Sequence, residues 1–180
     1  MRKNRLYCAG AALLLAGCML CGCGEAGSTA ETAPVSSAAE SEAEVTYPDM
    51  KQLAADMAAA DSTLPDMLTV TDADSDADVS FASVSDMEYD KIAHYLLVYS
   101  SAGKADEICV IAVKDKADAA EAEAELKKHA ESRVRMYREY DATQVPRAEK
   151  AVVFSEGHYA VLIICDNADA VKAAFTAGIA

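Results

Sequence analysis

Asp72, Asp74, Asp76 and Asp78 alternate with small residues, and carboxylates so spaced are oxygen donors of the kind that hard divalent cations take. An EF-hand loop also needs Gly at its sixth position and Glu at its twelfth. Counted from Asp72 those positions hold Ala77 and Ser83, and counted from Asp74 they hold Val79 and Ser85. Both registers fail, so the stretch reads as a solvated acidic loop. His94, His129 and His158 have no His or Cys one helical turn away, which leaves no zinc pattern, and each reads as a surface or strand-end histidine. Asp106 and Glu107 are adjacent acids, but neighbours on a strand point to opposite faces and do not share a substrate. Arg133, Arg135 and Arg138 offer donors to an anion, yet Glu131 and Glu139 lie beside them, which favours an ion-paired, solvated helix face. Cys109 and Cys165 each sit in an apolar run and read as buried free thiols. No serine elbow, phosphate-cradling glycine loop or HExxH pair is present. The residues therefore assign no catalytic group, no metal and no cofactor.

The remaining chemistry lies at the N-terminus. Arg2, Lys3 and Arg5 precede a 12-residue apolar run, Leu6 to Gly17, which suits the core of a secretory signal and is too short to span a bilayer. Leu15-Ala16-Gly17-Cys18 resembles the lipobox of bacterial lipoproteins, in which the Cys receives a diacylglycerol before the signal is cleaved. A second candidate, Leu20-Cys21-Gly22-Cys23, would place the lipid on Cys23. Residues 1–17 thus read as a lipoprotein signal peptide. Residues 18–45 read as a lipid-anchored flexible linker, whose stretch from Gly24 holds five Glu, no basic residue and no apolar periodicity. The whole chain has 180 residues and a net charge of -14. Cleavage at Cys18 removes three of 16 basic residues and none of 30 acidic ones, leaving a body near -17. That balance lacks the basic face of a nucleic-acid binder.

Residues 46–180 are long enough for one core without staples. Pro48 suits a first helical turn, and Met50, Leu53, Met57 and Ala60 form one apolar stripe. Residues 61–90 show no clear period, although Phe81 and Val84 are expected to pack back on the core. Tyr95–Tyr99 predicts a strand, and Ser100–Lys104 a turn. Glu107–Val113 predicts a central strand, because it is apolar on both faces. Asp115 to about Tyr140 predicts a long helix, with Glu123–Lys127 and Glu131–Arg135 as favourable pairs on its polar side. Ala151–Phe154 and Tyr159–Cys165 predict a hairpin around Glu156-Gly157. Asn167 opens a last helix that Gly178 stops. The fold class is α+β: an N-terminal helix followed by ββαββα, an antiparallel four-stranded sheet with helices packed on one face.

Several of these residues occur in a familiar arrangement. Ala105-Asp106-Glu107-Ile108 opens a strand, a long charged helix ends near Tyr137 and Tyr140, Pro146 follows, and Gly157-His158-Tyr159 leads into an apolar strand. Together with the lipobox and acidic linker, this resembles the bacterial lipoprotein family known as domain of unknown function 4358, over about residues 48–177. The family usually has an Asn-like residue where this chain has His158. The resemblance implies a small lipoprotein domain and brings no activity, substrate or cofactor. The expected function is a module held by lipid on the extracytoplasmic face of the membrane, binding an envelope protein or a small ligand without catalysis. The alternatives are a cell-envelope enzyme whose site is gathered from scattered residues, and an accessory subunit of a transporter. A deep polar pocket with convergent titratable groups would favour the enzyme.

Overall fold

The computed structural model of the protein describes residues 45–180. The signal at 1–17, both candidate lipid sites, Cys18 and Cys23, and nearly all of the linker lie outside the described residues.

The central strand organises the rest. β3 (Glu107–Val113) is buried at every position, as a strand covered on both faces must be. It pairs antiparallel with β2 (Ile92–Ser100) on one side and β5 (Tyr159–Ile164) on the other. β4 (Val152–Glu156) closes a hairpin against β5. The sheet has five strands rather than four, in the order β1-β2-β3-β5-β4 with every pair antiparallel. The added strand is β1 (Met67–Thr71), which pairs with the outer side of β2. It falls in the segment that shows no period, because an edge strand beside solvent leaves Leu68 and Thr69 exposed and needs no apolar alternation.

The helices cover both faces, which corrects the one-sided packing. α1 (Met50–Ala59) and α5 (Ala168–Gly178) pack Leu53, Met57, Val171 and Phe175 on Leu96, Ile108, Val110 and Ile163. The opposite face carries α2 (Ala77–Ala82), α3 (Ala119–Tyr140) and the short α4 (Val145–Ala148), which pack Phe81, Leu126, Tyr137 and Ala148 over Leu97, Cys109, Ile111 and Leu162. The cause is the apolar content of β2, β3 and β5 at both parities, which would leave a wet apolar face under a single helical layer.

Three local readings shift. The cap of α1 is Asp49, whose carboxylate accepts from the Gln52 backbone N–H at 2.8 Å, so Pro48 stands just before the helix. The hairpin loop is Gly157-His158, with Gly157 at φ 61°, one residue later than expected. Gly178 belongs to α5 instead of stopping it. A β-carbon there would lie 2.6 Å from Leu53 Cδ1, so this glycine lets α5 approach α1 closely.

Cys109 and Cys165 are both buried free thiols, and they belong to cores on opposite faces of the sheet. Burial, reinforced by the Asp61 carboxylate, raises the Cys165 pKa to about 12, and burial pushes Cys109 well above its ordinary value. Both thiols should therefore label only as fast as the domain opens. Labelling with a maleimide at pH 7, with and without urea, checks this. Rapid native labelling of either thiol would contradict the burial.

Candidate functional site

Glu107 is the one position of β3 that is not apolar. It shares a side of the strand with Cys109, Ile111 and Val113, so its carboxylate enters the core under α3, where only 4% of its side chain is exposed. A lone buried carboxylate is costly, and this one is satisfied from the helix above. His129 Nε2 lies 2.6 Å from Glu107 Oε1, and Arg133 Nε lies 2.9 Å from Oε2. The Arg133 contact is ionic, since its Nε–H points off the hydrogen-bonding line.

The spacing on α3 explains the convergence. His129, Arg133 and Tyr137 follow one another at one-turn intervals on one face. The Arg133 guanidinium lies 5.0 Å from the centre of the Tyr137 ring, and its Nη2 donates to the Tyr137 hydroxyl at 3.1 Å. That hydroxyl donates in turn to the Lys104 carbonyl at 2.5 Å, which ties α3 to the β2–β3 turn. Burial raises the Tyr137 pKa and keeps the hydroxyl a donor at neutral pH.

Glu107, His129 and Arg133 form one wall of a cleft of about 320 Å³ between α2 and α3, floored by β2. Ser80 and Val84 stand on the α2 side, Ser132 and Met136 on α3, and Leu97 and Tyr99 on the floor. α2 is held in place by Phe81, which packs edge-on against Tyr89 and Tyr95, and by the Tyr95 hydroxyl, which donates to the Ala77 carbonyl at 2.6 Å.

The other candidate residues separate. Asp72 accepts from the Tyr95 backbone N–H at 3.2 Å and lies 2.9 Å from His94 Nδ1, while Asp74 caps the Thr71 N–H at 2.8 Å. Among the described residues, no group of three or more His, Cys, Asp or Glu side chains is arranged to hold a metal. His94 sits near the start of β2, and His158 sits in the hairpin loop with Nδ1 3.2 Å from the Val113 carbonyl. His129 is not a surface histidine: 13% of its side chain is exposed. Arg135 and Arg138 remain on the surface, 3.8 Å from Glu131 and 3.2 Å from Glu149. Lys127 pairs with Glu123 at 2.6 Å as its spacing predicts.

Asp106 and Glu107 do have different partners. Asp106 meets Arg147, which also holds Asp166 at 2.6 Å. Burial raises the Asp106 pKa against the opposing pull of Arg147. Near this group, Asp61 is 2% exposed and accepts four hydrogen bonds, from the backbone and side chain of Thr63 and of Asn167. The first residue before α5 therefore spends its side chain on Asp61 rather than on capping its own helix.

The Glu107–His129–Arg133 cluster went unrecognised in the sequence because its members are separated by the whole β3–α3 connection. One signal was available: a single Glu opening an otherwise apolar central strand, followed by a helix carrying His and Arg four residues apart on its inner side.

Among the described residues no helix is long and apolar enough to cross a membrane. Neither a curated protein nor a solved structure matches the chain. A family match covers residues 68–165, more than half of the chain, from β1 to the residue after β5, and takes in the cleft with Glu107, His129 and Arg133. The chain belongs to the family described as Domain of unknown function (DUF4358).

Proposed function

We propose that the protein is a lipid-anchored extracytoplasmic module that binds a small ligand in the cleft between α2 and α3 without transforming it. The observation that carries the non-catalytic reading is the state of Glu107. Both of its oxygens are taken, by His129 and Arg133, and it is nearly inaccessible, so it offers no free base to a bound molecule. His129 spends Nε2, its outer nitrogen, on Glu107 and keeps only Nδ1, the nitrogen nearer its own backbone. What faces the cleft beyond these groups is a set of hydroxyls and apolar side chains, the mixture typical of a recognition site.

The cell-envelope enzyme is the second reading. It draws support from the acid–histidine pair and from Ser132, one turn from His129 in the same cleft. The orientation just described argues against it, because the imidazole presents its outer nitrogen to the acid instead of to the serine.

The anchor is carried by the positive n-region, the apolar run and the Leu-Ala-Gly-Cys sequence. Two acyl chains on one Cys give stable membrane attachment where a single chain does not.

One experiment has two arms. In cells fed a labelled fatty acid, Cys18→Ser should abolish label on the protein; label lost only in Cys23→Ser moves the anchor by five residues, and label unaffected by either change rejects the lipoprotein reading. With purified protein, an NMR fragment screen should give hits that shift cleft residues and vanish in Ser132→Trp, which fills the cleft. Hits that ignore Ser132→Trp would remove the binding-cleft reading, and turnover of ester or amide substrates lost in Ser132→Ala would install the enzyme reading.

A further inference from the structure

The polar groups of the cleft are unequal in what they have left to give. Glu107, the acceptor among them, is fully committed. Arg133 is committed at two of its three nitrogens: Nε to Glu107, and Nη2 to the Tyr137 hydroxyl and, at 3.4 Å, to the Lys104 carbonyl. Nη1 has no partner among the described residues, and it is not sealed from solvent as Nε is. The Ser132 hydroxyl likewise makes no hydrogen bond among the described residues, whereas the Ser80 side chain hydrogen-bonds to Tyr95 and Ser83 donates to the Ser80 carbonyl at 2.6 Å. The unspent groups are thus Arg133 Nη1, the Ser132 hydroxyl and His129 Nδ1, and a ligand must bring acceptors to the first two.

The charge and shape of the cleft narrow the ligand further. Glu107 cancels most of the Arg133 charge at close range, so an anion is held by hydrogen bonds from Nη1 and the Ser132 hydroxyl rather than by surplus positive charge, and a second negative charge finds nothing to offset it. The rest of the surface is apolar: Val84, Leu97, Tyr99 and the half-exposed Met136, whose unbranched thioether adapts to different shapes. Leu68 stands opposite Tyr99 in the β1–β2 register, on the same face and 48% exposed, and extends the apolar floor outward. The volume of about 320 Å³ lies at the small end of the range for small-molecule sites. The net charge of -14 does not forbid an anion, since charges beyond a Debye length are screened at physiological salt.

We infer that the cleft binds a small monocarboxylate with an apolar tail, its carboxylate received by Arg133 Nη1 and the Ser132 hydroxyl, and its tail laid on Val84, Leu97, Tyr99 and Met136. The inference rests on the binding-cleft reading above and gives that site a ligand class. A phosphate dianion carries one charge too many and has no use for the apolar floor. An uncharged amide of the same tail forfeits the charge-assisted bond, which is about tenfold or more in affinity.

The test uses the full-length protein in detergent and three probes, hexanoate, hexanamide and inorganic phosphate, followed by calorimetry and by NMR shifts of cleft amides. Hexanoate should bind saturably, hexanamide at least about tenfold more weakly, and phosphate without saturation. Arg133→Lys keeps a cation beside Glu107 but removes Nη1, and should weaken hexanoate about tenfold with circular dichroism unchanged. Should that variant fail to fold, Ser132→Ala decides in its place, with an expected loss of about fivefold. Hexanamide binding as tightly as hexanoate, phosphate binding more tightly than either, or hexanoate binding that ignores Ser132→Ala would overturn the inference. So would a lack of hexanoate binding. In that case fragment hits abolished by Ser132→Trp would leave the binding-cleft reading standing, and the absence of such hits would remove both.

Discussion

Replacing Glu107 by Ala is expected to destabilise the domain by about 3–5 kcal/mol, the usual cost of removing one partner from a buried ion pair. The side chain is 4% exposed, while those of its partners His129 and Arg133 are 13% and 18% exposed, so water does not readily replace the lost carboxylate. Arg133 would keep its charge under α3 with only a phenol and a carbonyl for company. Against a typical domain stability of about 5–15 kcal/mol, the variant would sit near the edge of folding. Urea unfolding followed by circular dichroism measures the loss. A compensated variant, Glu107→Leu with His129→Leu and Arg133→Met, should recover most of it, because the desolvation cost disappears along with the attraction. A Glu107→Ala protein within about 1 kcal/mol of wild type would show that the pair is solvated in a way its burial does not suggest.

Asp61→Ala is expected to cost about 3 kcal/mol, for a different reason. Asp61 links the end of α1 to the start of α5, 106 residues away in sequence, through bonds of 2.8 and 2.9 Å to Asn167 and of 2.6 and 2.9 Å to Thr63. All four donors lose their acceptor together. The same carboxylate sets a pH dependence. Burial works to raise its pKa, yet the hydrogen bonds from Thr63 and Asn167 outweigh burial and hold it below the usual Asp range. A depressed folded pKa contributes stability that is complete above the unfolded value of about 3.9 and is lost as the pH falls through the folded one. Melting temperature should therefore decline steeply below about pH 4 in the wild type and less steeply in Asp61→Asn. Parallel acid limbs for the two proteins would assign the decline to other carboxylates.

How much of this was legible depended on what each segment has to bury. β3 could be read because Ile108 to Val113 is apolar at both parities, and the β4–β5 hairpin because Gly157 sits between two apolar runs. The stripe on α3 could be read because Ala122, Leu126 and Ala130 face the sheet at helical spacing. β1 could not, since Met67–Thr71 is an edge strand whose apolar residues are partly solvated and whose neighbour is the Asp-rich loop. The two-sided layering was implicit in β2, β3 and β5, which have no polar face to give to water, but the order of helices along the chain does not say which side each one takes. The cleft was least legible. Its floor, walls and charged column come from four separate segments, and only the sheet register brings Glu107 beneath a helix that starts 12 residues later. His129 was misread for the same reason: a single His on a charged helix has no periodic signature until its partner is known.

The close seating of Gly178 against Leu53 has a mechanical consequence. α1, where the described chain enters, is clamped to α5, where it leaves, and both lie on the face of the sheet opposite the cleft. Tension applied to the chain ahead of Val45 first loads the bond from the Tyr47 hydroxyl to the Val113 carbonyl at the end of β3 and the Tyr47 ring's contact with His94 of β2, then the α1–α5 seam and the Asp61–Asn167 link, and it reaches the buried middle of β2 and β3 only after α1 has peeled away. The N-terminal helix thus acts as a sacrificial coupling: a pull that strips it uncovers one apolar face of the sheet while α2, α3 and the cleft between them keep their own core.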